Sequence, residues 1–265
     1  MSWTAAVDYR QGRLHRESGV PCQDFGRLAK PSEDLLIGAI ADGAGSAGLG
    51  HRGARTAVST ALAFLQERLA AEPDVRGDPA GGQGGAEALF DGLLRAVRIA
   101  LEAEARAHGQ AVESFATTLL AFAAGPRGVA AYQIGDGWLV CRMPGADYLL
   151  LSRPQRGEYA NETVFVTSPE AESAQTLSHH SQPVQFVCAA TDGLSDVSIE
   201  RVPMPEADRP HEAFFRPLDR FIAETHEDSD AHHAIRTFLR SDRLQARVED
   251  DVTLMLGGWH PAGRA

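Results

Sequence analysis

Aspartates stand where the apolar runs of this chain stop. Asp42 ends "LLIGAIAD" (35–42), Asp192 ends "VQFVCAATD" (184–192), and Asp250 and Asp251 lie in "EDDVTLML" (249–256). Asp24 sits in "PCQDFG", Asp136 in "YQIGDGW", and Asp196 in "DGLSD". A carboxylate beside a buried strand is costly unless it is paired or bound to a metal. A single one reads as a turn. A set gathered at the ends of neighbouring strands would repel itself without cations. All-oxygen donors of this kind favour Mg²⁺ or Mn²⁺.

The residues after Asp42 raise a rival chemistry. Gly43-Ala44-Gly45-Ser46-Ala47-Gly48 fits G-x-G-x-x-G, with a strand before it and a helix after it, as a dinucleotide loop requires. That helix runs into a Gly/Pro-rich stretch rather than a second parallel strand ending in an acid. The dinucleotide reading also leaves the later acidic segments unexplained. Ser46 as a hydrolase nucleophile is weaker, because Ala44 breaks G-x-S-x-G.

The elements that must position these carboxylates can be read from periodicity. Residues 3–9 read as a strand, Gln11-Gly12 as a turn, and "LLIGAIA" as a buried strand. Ala54, Val58, Ala61, Leu62, Leu65 and Leu69 mark an amphipathic helix, and Leu89 to Leu101 mark a second. "EPDVRGDPAGGQGG" (72–85) reads as a flexible surface loop. Strands are expected in "SFATTLLAFAA", "GVAAYQI", "WLVCRM", "DYLLLS", "TVFVT" and "VQFVCAA". Residues 211–224 and 230–245 look helical, and "DVTLMLGGW" closes as a strand. The order suggests an α+β layered sandwich rather than βαβ alternation.

Composition narrows the partners. With 36 acidic against 25 basic residues and a net charge of −11, the chain lacks the excess of basic residues expected of a general nucleic-acid binder. No run approaches a membrane span, and "MSWTAAVDYRQGRLHRES" has no apolar signal core. Cys22, Cys141 and Cys188 have no metal-type spacing and read as reduced thiols, which fits a cytoplasmic location.

Taken together, "AIADGAGSAG", "SFATTLLAF", "YQIGDGWLV", "AATDGLSD" and "EDDVTLML" resemble, in order and spacing, the metal-dependent protein phosphatases of type 2C (the PPM family). "HRESGVPCQDFG" resembles that family's first acidic motif in its bacterial branch. The resemblance spans nearly the whole chain. It implies one domain over 1–265, an α+β four-layer α/β/β/α sandwich with two antiparallel-rich β-sheets. It implies two Mn²⁺ or Mg²⁺ ions: Asp42 bridging both, the Gly43 carbonyl on one, and Asp192 and Asp250 as further ligands. Asp24 matches the aspartate that holds metal-bound water, and Asp136 and Asp196 match positions linked to a third, weaker ion. The implied activity is hydrolysis of phosphoserine and phosphothreonine in proteins by a hydroxide bridging the two ions. A catalytically weak phosphoprotein-binding module is the alternative. A flap is expected near 153–183, with "PQRGEYANETVF" at its core. A Ser/Thr kinase as signalling partner is implied by resemblance alone. The chain departs from the pattern in three places, one being Gly135-Asp136-Gly137-Trp138 where the family has Gly-Asp-Ser-Arg. No histidine follows Gly43, and the phosphate-binding arginine has no clean match, with Arg16 and His15 the nearby candidates.

Overall fold

The computed structural model describes residues 2–71, 81–155, 163–202 and 208–260. Its frame is two five-stranded sheets. The first runs in the order β1 (Ser2–Arg10), β12 (Val252–His260), β9 (Phe186–Ala190), β6 (Trp138–Arg142), β7 (Tyr148–Ser152). The second runs β2 (Asp24–Ser32), β3 (Leu35–Asp42), β4 (Leu119–Gly125), β5 (Gly128–Ile134), β8 (Thr176–His180). Neighbours within these two sheets pair antiparallel. β10 (Ile199–Glu200) and β11 (Arg209–Pro210) form a separate ribbon.

Strand alternation sorts the apolar residues into three layers. In β3, Leu35, Ile37, Ala39 and Ala41 face the helices α2 (Gly50–Ala71), α3 (Gly82–Phe90) and α4 (Leu93–His108). Leu36 and Ile40 face the other sheet, where they join Trp3, Leu120, Phe122, Leu139, Val187 and Met255. On the far side, Trp138, Val140, Phe186, Cys188, Leu254 and Leu256 pack beneath α7 (Glu212–Glu224) and α8 (Asp228–Leu239). This is the expected four-layer sandwich. α2 lies close on its sheet because its inward positions include Ala54, Ala57 and Ala61, all fully buried.

Several expected elements differ. The loop at 72–85 gives way to α3 from Gly82, and 72–80 lie outside the described residues. The second helix is two helices, broken at Gly92, whose φ of 84° is left-handed. "SFATTLLAFAA" begins as a 3₁₀ turn (Val112–Phe115), and β4 starts only at Leu119. "TVFVT" is not a strand: the Val166 N–H bonds the Thr117 carbonyl (2.8 Å), and a turn follows. The segment 153–183 is more than a flap. It contains the short helix α5 (Ala171–Ala174) and β8, which pairs with β5; residues 156–162 lie outside the described residues. Gln11-Gly12 is not a turn: Gly12 is extended and leads into a short helix, α1 (Arg13–Ser18).

Candidate metal centre

The same alternation that fills the inner layer carries polar residues to its end. In β3 the inward series 36, 40 continues to Asp42, and in β2 Asp24 is paired directly with Asp42. In the other sheet the inward series ends in Thr191 after β9, and in Thr253 on β12 with Asp251 just before that strand. The inter-sheet layer is therefore apolar along its length and acidic at one edge.

Asp24 is buried, and its Oδ2 accepts hydrogen bonds from the hydroxyls of Thr191 (2.6 Å) and Thr253 (2.8 Å), both from the opposite sheet. Its Oδ1 has no partner. Burial, opposed by those two hydrogen bonds and reinforced by Asp251 and Asp192, pushes its pKa up to about 8. The backbone of Asp42 is clamped by "ATTL": the Asp42 N–H donates to Thr118 Oγ1 (2.9 Å), and the Asp42 carbonyl accepts from the Thr118 N–H (2.8 Å) and the Thr117 hydroxyl (2.9 Å). Its carboxylate is left without a hydrogen-bond or ion-pair partner among the described residues. Burial first, then Asp24, Asp192, Asp250 and Asp136, hold its pKa well above the usual carboxylate range. Asp192 is pushed up to about 7 by burial and by Asp136 and Asp250. Asp136 is raised by burial and Asp250 against the pull of the Thr163 hydroxyl, which donates to its Oδ2 at 2.6 Å. Asp24, Asp42, Asp136, Asp192 and Asp250 are thus one electrostatic cluster of like charge.

A cleft of about 580 Å³ is lined by Asp136, Asp192, Asp196 and Asp250, with Gln155 and Thr163 from within the expected flap segment. Asp196 is exposed and pairs with Arg201 (3.0 Å). Arg16 is exposed on α1. Asp251, beside the expected Asp250, is the buried residue of the pair. It accepts the Gly12 N–H (2.7 Å) and the Gln23 N–H (2.6 Å), and His15 Nδ1 lies 2.9 Å from it. The approach is one of distance only, since His15 Nδ1 has no hydrogen-bond partner among the described residues. His15, Asp250 and Asp251 could themselves hold a cation.

Glycines let these segments meet. A Cβ on Gly43 would lie 2.3 Å from the Gly50 carbonyl carbon, and one on Gly193 would lie 2.1 Å from the Asp251 carbonyl oxygen. Gly43 is needed for this close approach. Its own carbonyl is met by Gln23, whose amide, with nitrogen toward the turn, donates to the Gly43 and Ala44 carbonyls at 2.8 and 2.9 Å. The dinucleotide reading fails on topology. The next strand of the sheet, β4, is antiparallel to β3, so no βαβ unit exists here.

A double β-sandwich with helices on both outer faces is a fold this chain shares with solved bacterial protein phosphatases. The serine/threonine phosphatase Stp1 of Staphylococcus aureus superposes with a TM-score of 0.63 at 14% identity, over 98% of this chain and 96% of that one. The serine/threonine phosphatase PstP/Ppp of Mycobacterium tuberculosis gives 0.63 at 18% identity, over 98% and 100%. The sequence defines the family: residues 11–240 match the protein phosphatase 2C model, and the chain belongs to that family. It is 32% identical over 269 residues to Serine/threonine-protein phosphatase 3 of Escherichia coli (strain K12), covering 98% of this chain and 99% of that protein.

Proposed function

We propose that the chain is a metal-dependent phosphatase acting on phosphoserine and phosphothreonine in proteins. The observation that carries this reading is the Asp42 carboxylate, partly buried, without a partner among the described residues and facing the like charge of four other carboxylates. Such a cluster fits divalent cations and little else, and the orphaned Oδ1 of Asp24 points the same way. In this reading Asp42, the Gly43 carbonyl, Asp192 and Asp250 hold two Mn²⁺ or Mg²⁺ ions, and Asp136 and Asp196 serve a third, weaker one. When bound, the ions supply Lewis acidity that activates water near neutral pH and neutralises phosphate charge.

The chain's own residues do the rest. The Thr191 and Thr253 hydroxyls fix Asp24 in one orientation, leaving Oδ1 as the acceptor for a water proton. Thr117 and Thr118 fix the Asp42 backbone, so the site is preorganised by strand ends rather than by loops. Arg16 supplies an exposed cation for the phosphate. Asp196 must leave Arg201 to act as a ligand. Among the described residues no helix is long and apolar enough to cross a membrane. A cytoplasmic signalling role opposite a Ser/Thr kinase fits this reading.

The test is steady-state hydrolysis of phosphoserine and phosphothreonine peptides and of a small aryl phosphate. Treatment with EDTA abolishes turnover, and Mn²⁺ or Mg²⁺ restores it. Full activity in metal-free protein overturns the reading. Metal-loaded protein that binds phosphopeptides without hydrolysing them identifies the regulatory module instead.

A further inference from the structure

Beside the carboxylate cleft lies a second pocket that the reaction above does not use. Its volume is about 440 Å³, and Val197, Phe214, Pro217, Leu218, Phe238 and Leu244 make its wall apolar. It sits where α7 meets α8 and two short helices, α6 (Ser195–Ser198) and α9 (Asp242–Gln245). Arg247 lines both this pocket and the cleft. Two stretches of chain run from one to the other: Asp196 lines the cleft and Val197 the pocket, while Arg247 lines the pocket and Asp250 the cleft.

We propose that this pocket is a substrate subsite that takes a bulky apolar side chain two or three residues away from the phosphorylated one. The inference rests on the phosphatase reading. Three residues of extended chain span roughly 10 Å, which is also the most that the backbone from Arg247 to Asp250 can cover. A peptide whose phosphate sits among the carboxylates is therefore long enough, within three residues, to place a side chain in this pocket. The rim suits a segment bearing phosphate: Arg243 and Arg247 are both exposed there, on a chain whose net charge is −11. Pro217 lies inside α7 and has no N–H to give the Ala213 carbonyl four residues earlier, and Ala213 and Pro217 both line the pocket. Proline thus removes the usual helical donor to that carbonyl. The substrate class is then phosphoserine or phosphothreonine flanked by Leu, Phe or a residue of similar bulk.

The experiment compares kcat/KM for paired phosphoserine peptides, with Leu or Phe against Gly at two and three positions on either side. The apolar residue raises kcat/KM by about 10-fold at one of these positions, the scale of a filled hydrophobic pocket. Ala213 is exposed, so Ala213→Glu places a charge in the pocket without touching the core. This variant loses the preference and keeps wild-type turnover of the aryl phosphate. Hydrolysis with no preference at any position, or a preference that survives Ala213→Glu, overturns the subsite and leaves the phosphatase reading standing. A dimer that Ala213→Glu dissociates, with no peptide preference, assigns the pocket to a second copy and overturns it as well. Absence of turnover on peptides and aryl phosphate alike removes the phosphatase reading, and the subsite with it.

Discussion

Asp42 and Asp192 each bring negative charge into a cluster that burial already penalises. Asp42→Asn and Asp192→Asn remove that charge at nearly constant volume. Phosphatase activity falls by about 10²-fold or more in each, because ligand charge supports the ions that activate water. Circular dichroism stays native, since relief of like-charge repulsion offsets lost metal binding; wild-type rates would show that the wrong residues carry the chemistry. The glycines separate in the same way. Gly43→Ala forces a Cβ to within 2.3 Å of the Gly50 backbone and lowers both stability and activity. Gly45 has open space around it and no positive φ, so Gly45→Ala leaves the melting temperature and turnover unchanged. A dinucleotide loop would give the reverse sensitivity at Gly45. At this scale the sequence was informative about charge and poor about orientation. Asp24, Asp42 and Asp192 stood out because each ends or adjoins an apolar run. Asp251 did not, because adjacent carboxylates part on extended chain and nothing local says which one turns inward. Its partners, Gly12 and Gln23, are more than 200 positions away in the chain (separations of 239 and 228).

The strand ends act together in their response to acid. Asp24 and Asp192 have folded-state pKa values of about 8 and about 7, both raised above the unfolded value by burial and like charge. The folded state therefore binds more protons than the unfolded chain between the ordinary carboxylate range and pH 8. Stability of the metal-free protein from these groups falls as pH rises through that window, opposite to a salt-bridged carboxylate. In EDTA the melting temperature is higher at pH 6 than at pH 8. With saturating Mn²⁺ the order reverses, because ligands must be deprotonated to bind and binding stabilises the folded state by mass action. Equal melting temperatures at both pH values in EDTA would remove the electrostatic account of the cluster. At the scale of elements, apolar runs were legible wherever they were long. "LLIGAIA" and "GVAAYQI" became β3 and β5 as expected. "TVFVT" has strand-like residues but spends its Val166 N–H on Thr117, a partner set by tertiary packing. β8, "TLSHH", was missed because its residues are all exposed or only partly buried and give no alternating apolar signal.

For the whole molecule, three apolar layers hold two sheets whose inner faces meet at one acidic edge. The fold class was legible because helices and strands follow each other in blocks. The docking of the sheets was not, since it depends on Thr191 and Thr253 reaching Asp24 across the layer. That cross-layer bond also makes assembly of the site a property of the sandwich rather than of either sheet.

β12 lies between β1 and β9, with Ser2 opposite His260. On the ribosome, the first strand described thus waits for the last before it gains its partner, and a nascent chain carries a sheet with its interior strand absent. The edges of β1 and β9 stand open meanwhile, and Asp250 and Asp251 are among the late residues to emerge. If Asp250 serves as proposed, a growing chain is inert until synthesis has reached β12. Chains stopped after residue 247 should be captured by chaperones and digested rapidly by protease, whereas the full chain resists. A protease-resistant, cooperatively melting 1–247 fragment would show that the sandwich closes without its interior strand.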